Sequence, residues 1–334
     1  MRGSIALRAR FAPGLVAPAL FVLGAMSSFV SAAVYTVPSG TSATFTSADA
    51  PLVGTGDSAV VNGQLTVESG DFGPGSLLID GIGSPDGDVY FNVGQIQPSS
   101  ITMQNFSRLL VNAPASANSL TNGGTTVSVD STLTINGSVS NSANFYTTSN
   151  GVVTTTSQFQ TDGNSTLGGN GSISAGTFTL EGVIAPGDLE ATTGTGTLAL
   201  TSANDISLAN TIYLLDIMTG FGPFFESDKL TVNGSITLGN GLLVMNTVSD
   251  PTGLLQVGDR FDVIDATAAL TLGDTFGNDD PSNFPVDDGS GNQIGYFNVG
   301  YDVSAGQVYL TYVPEPASLG VVGLSPLLLV RRRR

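Results

Sequence analysis

Residues 125–139 read TTVSVDSTLTINGSV, and hydroxyl-bearing and apolar side chains alternate along this stretch. Successive side chains of a β-strand point to opposite faces, so the alternation in Thr132-Leu133-Thr134-Ile135 indicates a strand with one buried face. The same pattern occurs in residues 58–68 (SAVVNGQLTVE) and 176–184 (GTFTLEGVI). We find no helical periodicity of comparable length, so the sequence predicts an all-β protein.

Asn-Gly dipeptides separate many of these apolar runs, and Asn and Gly both tolerate the positive φ of tight corners. Two arrangements fit this spacing: hairpins that close a β-sandwich, or corners that wind a parallel β-solenoid. The residues alone leave both open. The asparagines of the seven dipeptides are Asn62, Asn122, Asn136, Asn150, Asn170, Asn233 and Asn240.

The composition bounds the chemistry of this 334-residue chain. Its 41% hydrophobic content is sufficient for a large core, while its 11% charged content is far below the usual share of about 25%. The chain contains no cysteine, no histidine and no tryptophan. This excludes thiol chemistry, the commonest metal ligand and the usual general base, so we expect no enzymatic activity.

Charge is distributed unevenly, because seven of the ten basic residues lie near the two ends of the chain. Between residues 34 and 313, three basic residues, Arg108, Lys229 and Arg260, face 26 acidic residues, which gives a formal charge of −23. Such a surface repels nucleic acids and anionic membranes. Cations and neutral glycans are compatible partners.

The N-terminus has the organisation of a secretion signal. Three arginines precede an apolar run over residues 11–30, and Ser31-Ala32-Ala33 then offers small residues for signal peptidase. We therefore predict a signal peptide over residues 1–33 that is cleaved at Ala32 and Ala33. The alternative is a permanent membrane anchor, which the prolines and glycines within the run disfavour.

The C-terminus has the organisation of a second targeting signal, over residues 313–334. Pro314-Glu315-Pro316 is followed by an apolar segment over residues 319–330 and by four arginines. The arginines retain this end in the cytoplasm, while the twelve-residue segment reaches only about 18 Å as a helix and is a poor permanent span. The order resembles the PEP-CTERM sorting signal, which implies transient inner-membrane anchoring and processing by an exosortase-type enzyme. The residues that carry the resemblance are Pro314, Glu315, Pro316, Arg331, Arg332, Arg333 and Arg334.

Residues 165–248 resemble the autotransporter-associated β-strand repeats of passenger domains. The resemblance rests on the Leu-Gly-Gly that begins at Leu167, on Pro186-Gly187, and on Ser227-Asp228 before the next run. It implies a right-handed parallel β-helix (β-solenoid) without catalytic residues. We therefore expect a β-solenoid body over residues 34–250 and a capping β region over residues 251–312, flanked by two short hydrophobic targeting segments that are helical.

Asp279, Asp280, Asp287 and Asp288 cluster in a polar loop over residues 277–292, and flexible carboxylates are what Ca²⁺ prefers. The alternative is an acidic solvated loop, because the spacing matches no calcium motif. Thr-rich strands offer hydroxyl rows that suit a regular polysaccharide. Three tyrosines, Tyr213, Tyr296 and Tyr301, offer rings on which a sugar can stack.

These features together predict a non-enzymatic exported protein of the cell surface or extracellular matrix with a structural role. The alternative is a surface adhesin or glycan-binding β-helix module that recognises exopolysaccharide or another surface glycan. A polysaccharide-active enzyme is the third hypothesis, with paired carboxylates as its acid and base.

Overall fold

A computed structural model describes residues 5–6, 22–23, 34–46, 57–68, 72–81, 87–92, 97–187, 195–219, 225–245, 248–250, 253–272, 275–280, 282 and 284–315. These residues form strands, turns and bends, and they contain no α-helix. No helix within the described ranges is long and apolar enough to cross a membrane. The all-β prediction is thereby confirmed.

The strands are mostly short, as the spacing of the turn residues predicts. The first seventeen are β1 (Ile5–Ala6), β2 (Val22–Leu23), β3 (Val34–Val37), β4 (Ser42–Phe45), β5 (Ser58–Val61), β6 (Gln64–Val67), β7 (Ser76–Asp80), β8 (Asp88–Phe91), β9 (Ser100–Gln104), β10 (Arg108–Val111), β11 (Ala115–Ala117), β12 (Ser119–Gly123), β13 (Thr126–Val129), β14 (Thr132–Ile135), β15 (Val139–Asn141), β16 (Asn144–Thr147) and β17 (Val152–Thr161). The other seventeen are β18 (Thr166–Gly169), β19 (Ser172–Thr179), β20 (Glu181–Pro186), β21 (Thr197–Thr201), β22 (Ile206–Ser207), β23 (Asn210–Leu215), β24 (Ile217–Thr219), β25 (Phe225–Ser227), β26 (Lys229–Asn233), β27 (Ser235–Thr237), β28 (Leu242–Met245), β29 (Val248–Ser249), β30 (Arg260–Ala266), β31 (Ala269–Thr271), β32 (Pro285–Asp287), β33 (Gln293–Asp302) and β34 (Gln307–Pro314).

The chain divides into two compact units. Unit 1 comprises Met1–Phe145 and Asn150–Ser157, and unit 2 comprises Tyr146–Ser149 and Gln158–Arg334. Within each unit, strands that follow one another around the chain stack in parallel on the corresponding strands of the preceding coil. This is a parallel β-solenoid, which resolves the choice between sandwich and solenoid that the residues left open.

Unit 1 has parallel strands on three faces. One face stacks β4, β6, β8, β10 and β13. A second face stacks β3, β5, β7, β9, β12 and β15, and a third stacks β11, β14 and the start of β17. The number of residues per coil varies, as the sequence separation of side chains that are hydrogen-bonded between adjacent coils shows. This separation is 18 residues for Ser58 and Ser76, 24 for Asp80 and Gln104, and 19 for Asn122 and Asn141.

The core of unit 1 follows from the alternation in its strands. Leu65, Val89, Leu109 and Val127 occupy equivalent inward positions in four successive coils and are fully buried. Each such aliphatic side chain contributes about 1.5–3 kcal/mol of hydrophobic free energy when it is buried. The coils are therefore held together by stacked apolar rows as well as by backbone hydrogen bonds.

A buried polar pair interrupts these rows in unit 1. The Asn122 amide donates to Oδ1 of Asn141 at 2.6 Å, and the Asn141 amide donates to the carbonyl of Ala143 at 2.8 Å. Both asparagines are at most 1% exposed. Asn122 had been expected in a turn, but it lies inside a strand and links two coils through its side chain.

Unit 2 begins with the same parallel stacking. One face stacks β18, β20, β23 and β28, a second stacks β19, β21, β26 and β30, and a third stacks β22, β27 and β31. Parallel pairing includes strands after residue 250, because β30 pairs with β26 and β31 with β27. Coil length varies here too, from 17 residues between the paired Thr166 and Val183 to 32 between Asp205 and its partner Thr237.

The last strands of unit 2 pair mainly in an antiparallel arrangement, although β32 also pairs in parallel with β29. Strand β30 pairs with β34, β34 pairs with β33, and β33 pairs with the short β32, which lies inside the expected polar loop. Phe261, Phe297 and Tyr312 pack edge to face in this sheet, with successive ring centroids 5.7 and 5.9 Å apart. A distinct β region therefore follows the parallel coils in sequence.

Most of the two targeting segments lies outside the described residues, so their expected helices stay a prediction. Within the N-terminal segment, β1 and β2 pair in an antiparallel arrangement, and the helix is not confirmed at those four residues.

Candidate functional site

The Pro-Glu-Pro of the predicted sorting signal begins inside the last strand. Pro314 ends β34 opposite Gly295 of β33, and the Glu315 N–H donates to the carbonyl of Ile294 at 2.9 Å. The motif therefore follows the folded sheet without an intervening linker. The other predicted sorting and cleavage residues, Pro316, Arg331, Arg332, Arg333, Arg334, Ala32 and Ala33, lie outside the described residues.

Each of the four aspartates of the predicted Ca²⁺ loop accepts a hydrogen bond. Three of the donors are residues two to four positions further along the chain, and the fourth is a tyrosine. Asp280 accepts from the Ser282 N–H at 2.9 Å, Asp287 from the Gly289 N–H at 2.7 Å, and Asp288 from the Asn292 amide at 2.8 Å. Asp279 accepts from the Tyr301 hydroxyl at 3.3 Å. The carboxylates thus order their own turns.

Hydrogen bonding also sets the charge of this loop. The Ser282 N–H lowers the pKa of Asp280, and the Asn292 side chain lowers the pKa of Asp288. Both carboxylates are therefore ionised at neutral pH. Among the residues that the structure describes, no group of three or more histidine, cysteine or acidic side chains is arranged to hold a metal ion.

The basic residues of the body are each paired with an acidic residue. Arg108 forms a bidentate pair with Asp88 of the preceding coil, with nitrogen–oxygen distances of 2.9 and 2.6 Å. Lys229 pairs with Asp265 at 3.0 Å, and Arg260 pairs with Asp262 at 2.8 Å. Their charges are thus largely compensated locally.

Hydroxyl side chains form rows on the outward faces of unit 1, as the Thr-rich pattern suggested. Ser116, Thr134 and Thr154 occupy matching positions in three adjacent coils, and neighbouring strands are spaced by about 4.7–4.9 Å. Thr155, the next residue of β17, is 3% exposed and donates to the carbonyl of Gly137. The outward row is therefore partly exposed and contains only every second residue of each strand.

A polar groove of about 200 Å³ lies beside this row, at a corner of the coils in unit 1. Asn118 and Asn136 are stacked there in adjacent coils, and both are exposed. The groove carries amide and hydroxyl groups without a charged residue. Its lining residues are Gln97, Pro98, Ser99, Ser116, Ala117, Asn118 and Asn136.

The tyrosines proposed for sugar stacking differ in accessibility. Tyr213 is fully buried and donates its hydroxyl to the Val263 carbonyl at 2.7 Å, so it is a core residue. Tyr301 is partly buried, and its hydroxyl accepts from the Phe276 N–H at 3.2 Å. Tyr296 lies on the outward face of β33 and is partly exposed. Burial thus removes Tyr213 from the sugar-binding candidates.

One buried acidic residue, Asp228, was not among the site residues predicted from the sequence. Asp228 is 2% exposed and accepts from the N–H groups of Gly196 and Asp216, each at 2.9 Å. Burial raises its pKa to about 7. Asp228 belongs to the Ser-Asp pair of the repeat resemblance, which was the only signal for it in the sequence.

The sequence matches no protein-family model, and a search of curated proteins finds no match.

Proposed function

We propose that the chain is a non-enzymatic exported protein with a structural role at the cell surface or in the extracellular matrix. Signal peptidase removes residues 1–33, and an exosortase-type enzyme recognises the PEP-CTERM tail during transient inner-membrane anchoring and processes it near Pro314-Glu315-Pro316. The observation that carries the structural role is the stack of parallel coils, with apolar rows inside and uncharged hydroxyl and amide rows outside.

The proposal includes two finer features of the fold. The solenoid is right-handed, as the resemblance to autotransporter-associated repeats implies. The antiparallel strands β30, β32, β33 and β34 serve as the C-terminal β cap, because an unpaired final coil exposes backbone groups that invite edge pairing.

Intact mass spectrometry of the surface-exposed protein tests export and processing. The full chain is produced in a host with an exosortase-type system, and the expected mature form lacks residues 1–33 and the four terminal arginines. Glu315→Ala should retain the tail, whereas Glu68→Ala, a matched change of an exposed glutamate, should be processed normally. A mature surface form that keeps Arg331–Arg334 contradicts the proposal.

The second candidate function is a glycan-binding surface module, and the polar groove favours it. Asn118 and Asn136 offer stacked amides to a polysaccharide that runs across the coils, and the uncharged lining suits a neutral sugar. A glycan array probed with the full chain tests this function. Saturable, competable binding that is lost in the Asn118→Ala, Asn136→Ala double variant supports it.

The matched control is the Asn92→Ala, Asn112→Ala double variant. These two asparagines are also exposed and stacked in adjacent coils, with the Asn112 amide donating to Asn92 at 2.9 Å, but they do not line the groove. Equal losses in the two double variants, or no binding at all, argue against the groove. The third hypothesis, a polysaccharide-active enzyme, requires turnover that disappears when Asp287 and Asp288 are replaced.

A further inference from the structure

Strand β28 lies at the edge of its parallel sheet in unit 2. It pairs with β23 on one side, in a register that places Leu243 beside Tyr213, and no described strand pairs with its other side. Alternate residues of a strand direct their backbone N–H and C=O groups to the same side. The Leu243 N–H and C=O both bond to Asn278 and not to β23, so they lie on the open side of β28.

One side chain occupies this edge. The Leu243 N–H donates to Oδ1 of Asn278 at 2.9 Å, and the Asn278 amide donates to the Leu243 carbonyl at 2.6 Å. The Gly277 N–H donates to the Gly241 carbonyl at 2.9 Å. Asn278 thereby forms the two hydrogen bonds that the next parallel strand would form with Leu243.

The exposed side chains beside this edge are apolar. Leu242 is 42% exposed and Val244 is 39% exposed, and Ile212 lies beside Leu242 in the register with β23 at 37% exposure. A strand with these side chains and with free backbone groups is a template for the addition of another strand. In this chain Asn278 occupies the Leu243 N–H and C=O, so these groups are not available to an added strand.

A complementary edge lies in unit 1, at β4. The N–H groups of Gln64 and Glu68 in β6 donate to the carbonyls of Thr41 and Phe45 at 2.9 and 3.0 Å. By alternation, Ser42 and Thr44 direct their backbone groups to the opposite side, where no described strand is paired. Like β28, β4 is part of a parallel sheet.

We propose that β28 is a docking edge for β4 of a second copy of this chain, and that Asn278 closes this edge. Addition of β4 continues the parallel ladder from one molecule into the next. The contact is heterologous, so repeated addition joins the molecules head to tail, in a ring if the rotation closes and in an open filament if it does not. The inference rests on the proposed structural role and gives it an assembly step, in which the segment carrying Gly277 and Asn278 must leave β28 before a second copy binds.

Sedimentation velocity of the purified full chain, in a mild non-ionic detergent, tests the closing role of Asn278. Asn278→Ala removes both hydrogen bonds to Leu243 and should strengthen self-association by roughly tenfold or more, because two such bonds contribute on the order of 1–3 kcal/mol. Asn292→Ala is the matched control: this exposed asparagine of the same loop bonds Asp288 instead. We expect the control and the unmodified chain to stay monomeric.

A milder substitution separates edge opening from misfolding. Asn278→Asp retains an acceptor for the Leu243 N–H but loses the donor to the Leu243 carbonyl, so it should associate more weakly than Asn278→Ala. If both variants keep the far-UV circular dichroism of the unmodified chain and remain monomeric, the proposal is wrong.

Disulfide trapping identifies the partner edge, because the chain has no cysteine of its own. In the Asn278→Ala background, a chain with Thr44→Cys and a chain with Val244→Cys should form a mixed disulfide under mild oxidation. Thr44→Pro removes an edge N–H and should return the Asn278→Ala chain to the monomer. Oligomers that persist in the Thr44→Pro variant exclude β4 as the occupant. Because these measurements use purified chains, their failure leaves the export proposal untouched.

Discussion

The corner at Gly63 gives the sharpest test of how the coils of unit 1 are stacked. Gly63 lies between β5 and β6, and a methyl group on its Cα would be closer than 3.0 Å to the carbonyl oxygens of Pro38 and Thr41 in the preceding coil. Both obstructing atoms belong to the backbone. A Gly63→Ala chain must therefore separate the two coils at this corner.

The size of the effect follows from what holds the corner in place. The Asn62 and Gly63 N–H groups donate to the Val37 carbonyl at 2.8 and 3.2 Å, and the Gln64 N–H donates to the Thr41 carbonyl at 2.9 Å. Overpacking of a tight site costs about 1–3 kcal/mol, and each weakened hydrogen bond adds about 0.5–1.5 kcal/mol. We expect Gly63→Ala to lower the free energy of unfolding by about 3 kcal/mol, or the melting temperature by about 6–12 °C.

Urea unfolding followed by far-UV circular dichroism measures this loss. Gly73→Ala is the matched control in the same unit, because its added methyl would lie 3.5 Å from the Gln97 carbonyl oxygen, an ordinary van der Waals distance. The control should change the free energy of unfolding by no more than about 0.5 kcal/mol. Equal stability of the two variants would refute the close backbone approach at Gly63.

Two further predictions concern buried carboxylates. Burial raises the pKa of Asp228 from 3.8 to about 7, so the folded chain binds this proton more tightly than the unfolded chain; the resulting stabilisation is complete below pH 3.8 and is lost as the pH rises through 7. The melting temperature should therefore fall between pH 4 and pH 8, and it should fall less steeply in Asp228→Asn. The same dependence of melting temperature on pH in both chains would contradict this prediction. Arg108→Leu leaves Asp88, which is 4% exposed, with the Tyr90 hydroxyl at 3.1 Å as a remaining donor, and should cost about 1–2 kcal/mol. The Arg108→Leu, Asp88→Asn double variant should regain part of that loss in urea unfolding, because no buried charge is then left without its cation.

The alternation of residue types was sufficient to predict the strands. In Thr132–Ile135 both apolar residues face the core, as the period of two required. In Ser58–Val61 the buried positions also alternate, although Val60 is an apolar residue on the outward side. The coil lengths were not predictable, because they depend on which backbone atoms touch at each corner. Those contacts join residues that are far apart in sequence.

The glycines of the Asn-Gly pairs show where the turn argument was incomplete. We had attributed these pairs to positive φ, but among their glycines only Gly234 has it, with φ near 145°. At Gly137 the reason is space, because a methyl group would collide with the carbonyl oxygen of Asn118 in the preceding coil. The sequence does not distinguish a glycine that is needed for positive φ from one that is needed for space. The close backbone approach at Gly137 was therefore not predictable from the sequence.

The candidate sites divide in a similar way. The acidic loop was visible as a run of aspartates, but its local hydrogen bonds depend on β32 and on the turn that follows it. The polar groove was not predicted from the sequence, because Asn118 and Asn136 come into contact only when two coils of the right length are stacked. Composition reveals clusters along the chain, whereas this fold assembles its surfaces across coils.

Asparagine shows how one residue type serves opposite purposes in such a fold. At Asn122 and Asn141 a buried amide links two coils, and each side chain finds its partners within the stack. At Asn278 the same amide satisfies a backbone that has no further described coil beside it. The difference is set by whether another strand is available to pair, which is a property of the position in the stack and not of the residue. Extension and termination of the solenoid therefore use the same hydrogen bonds, and replacing Asn278 is the change that should convert one into the other.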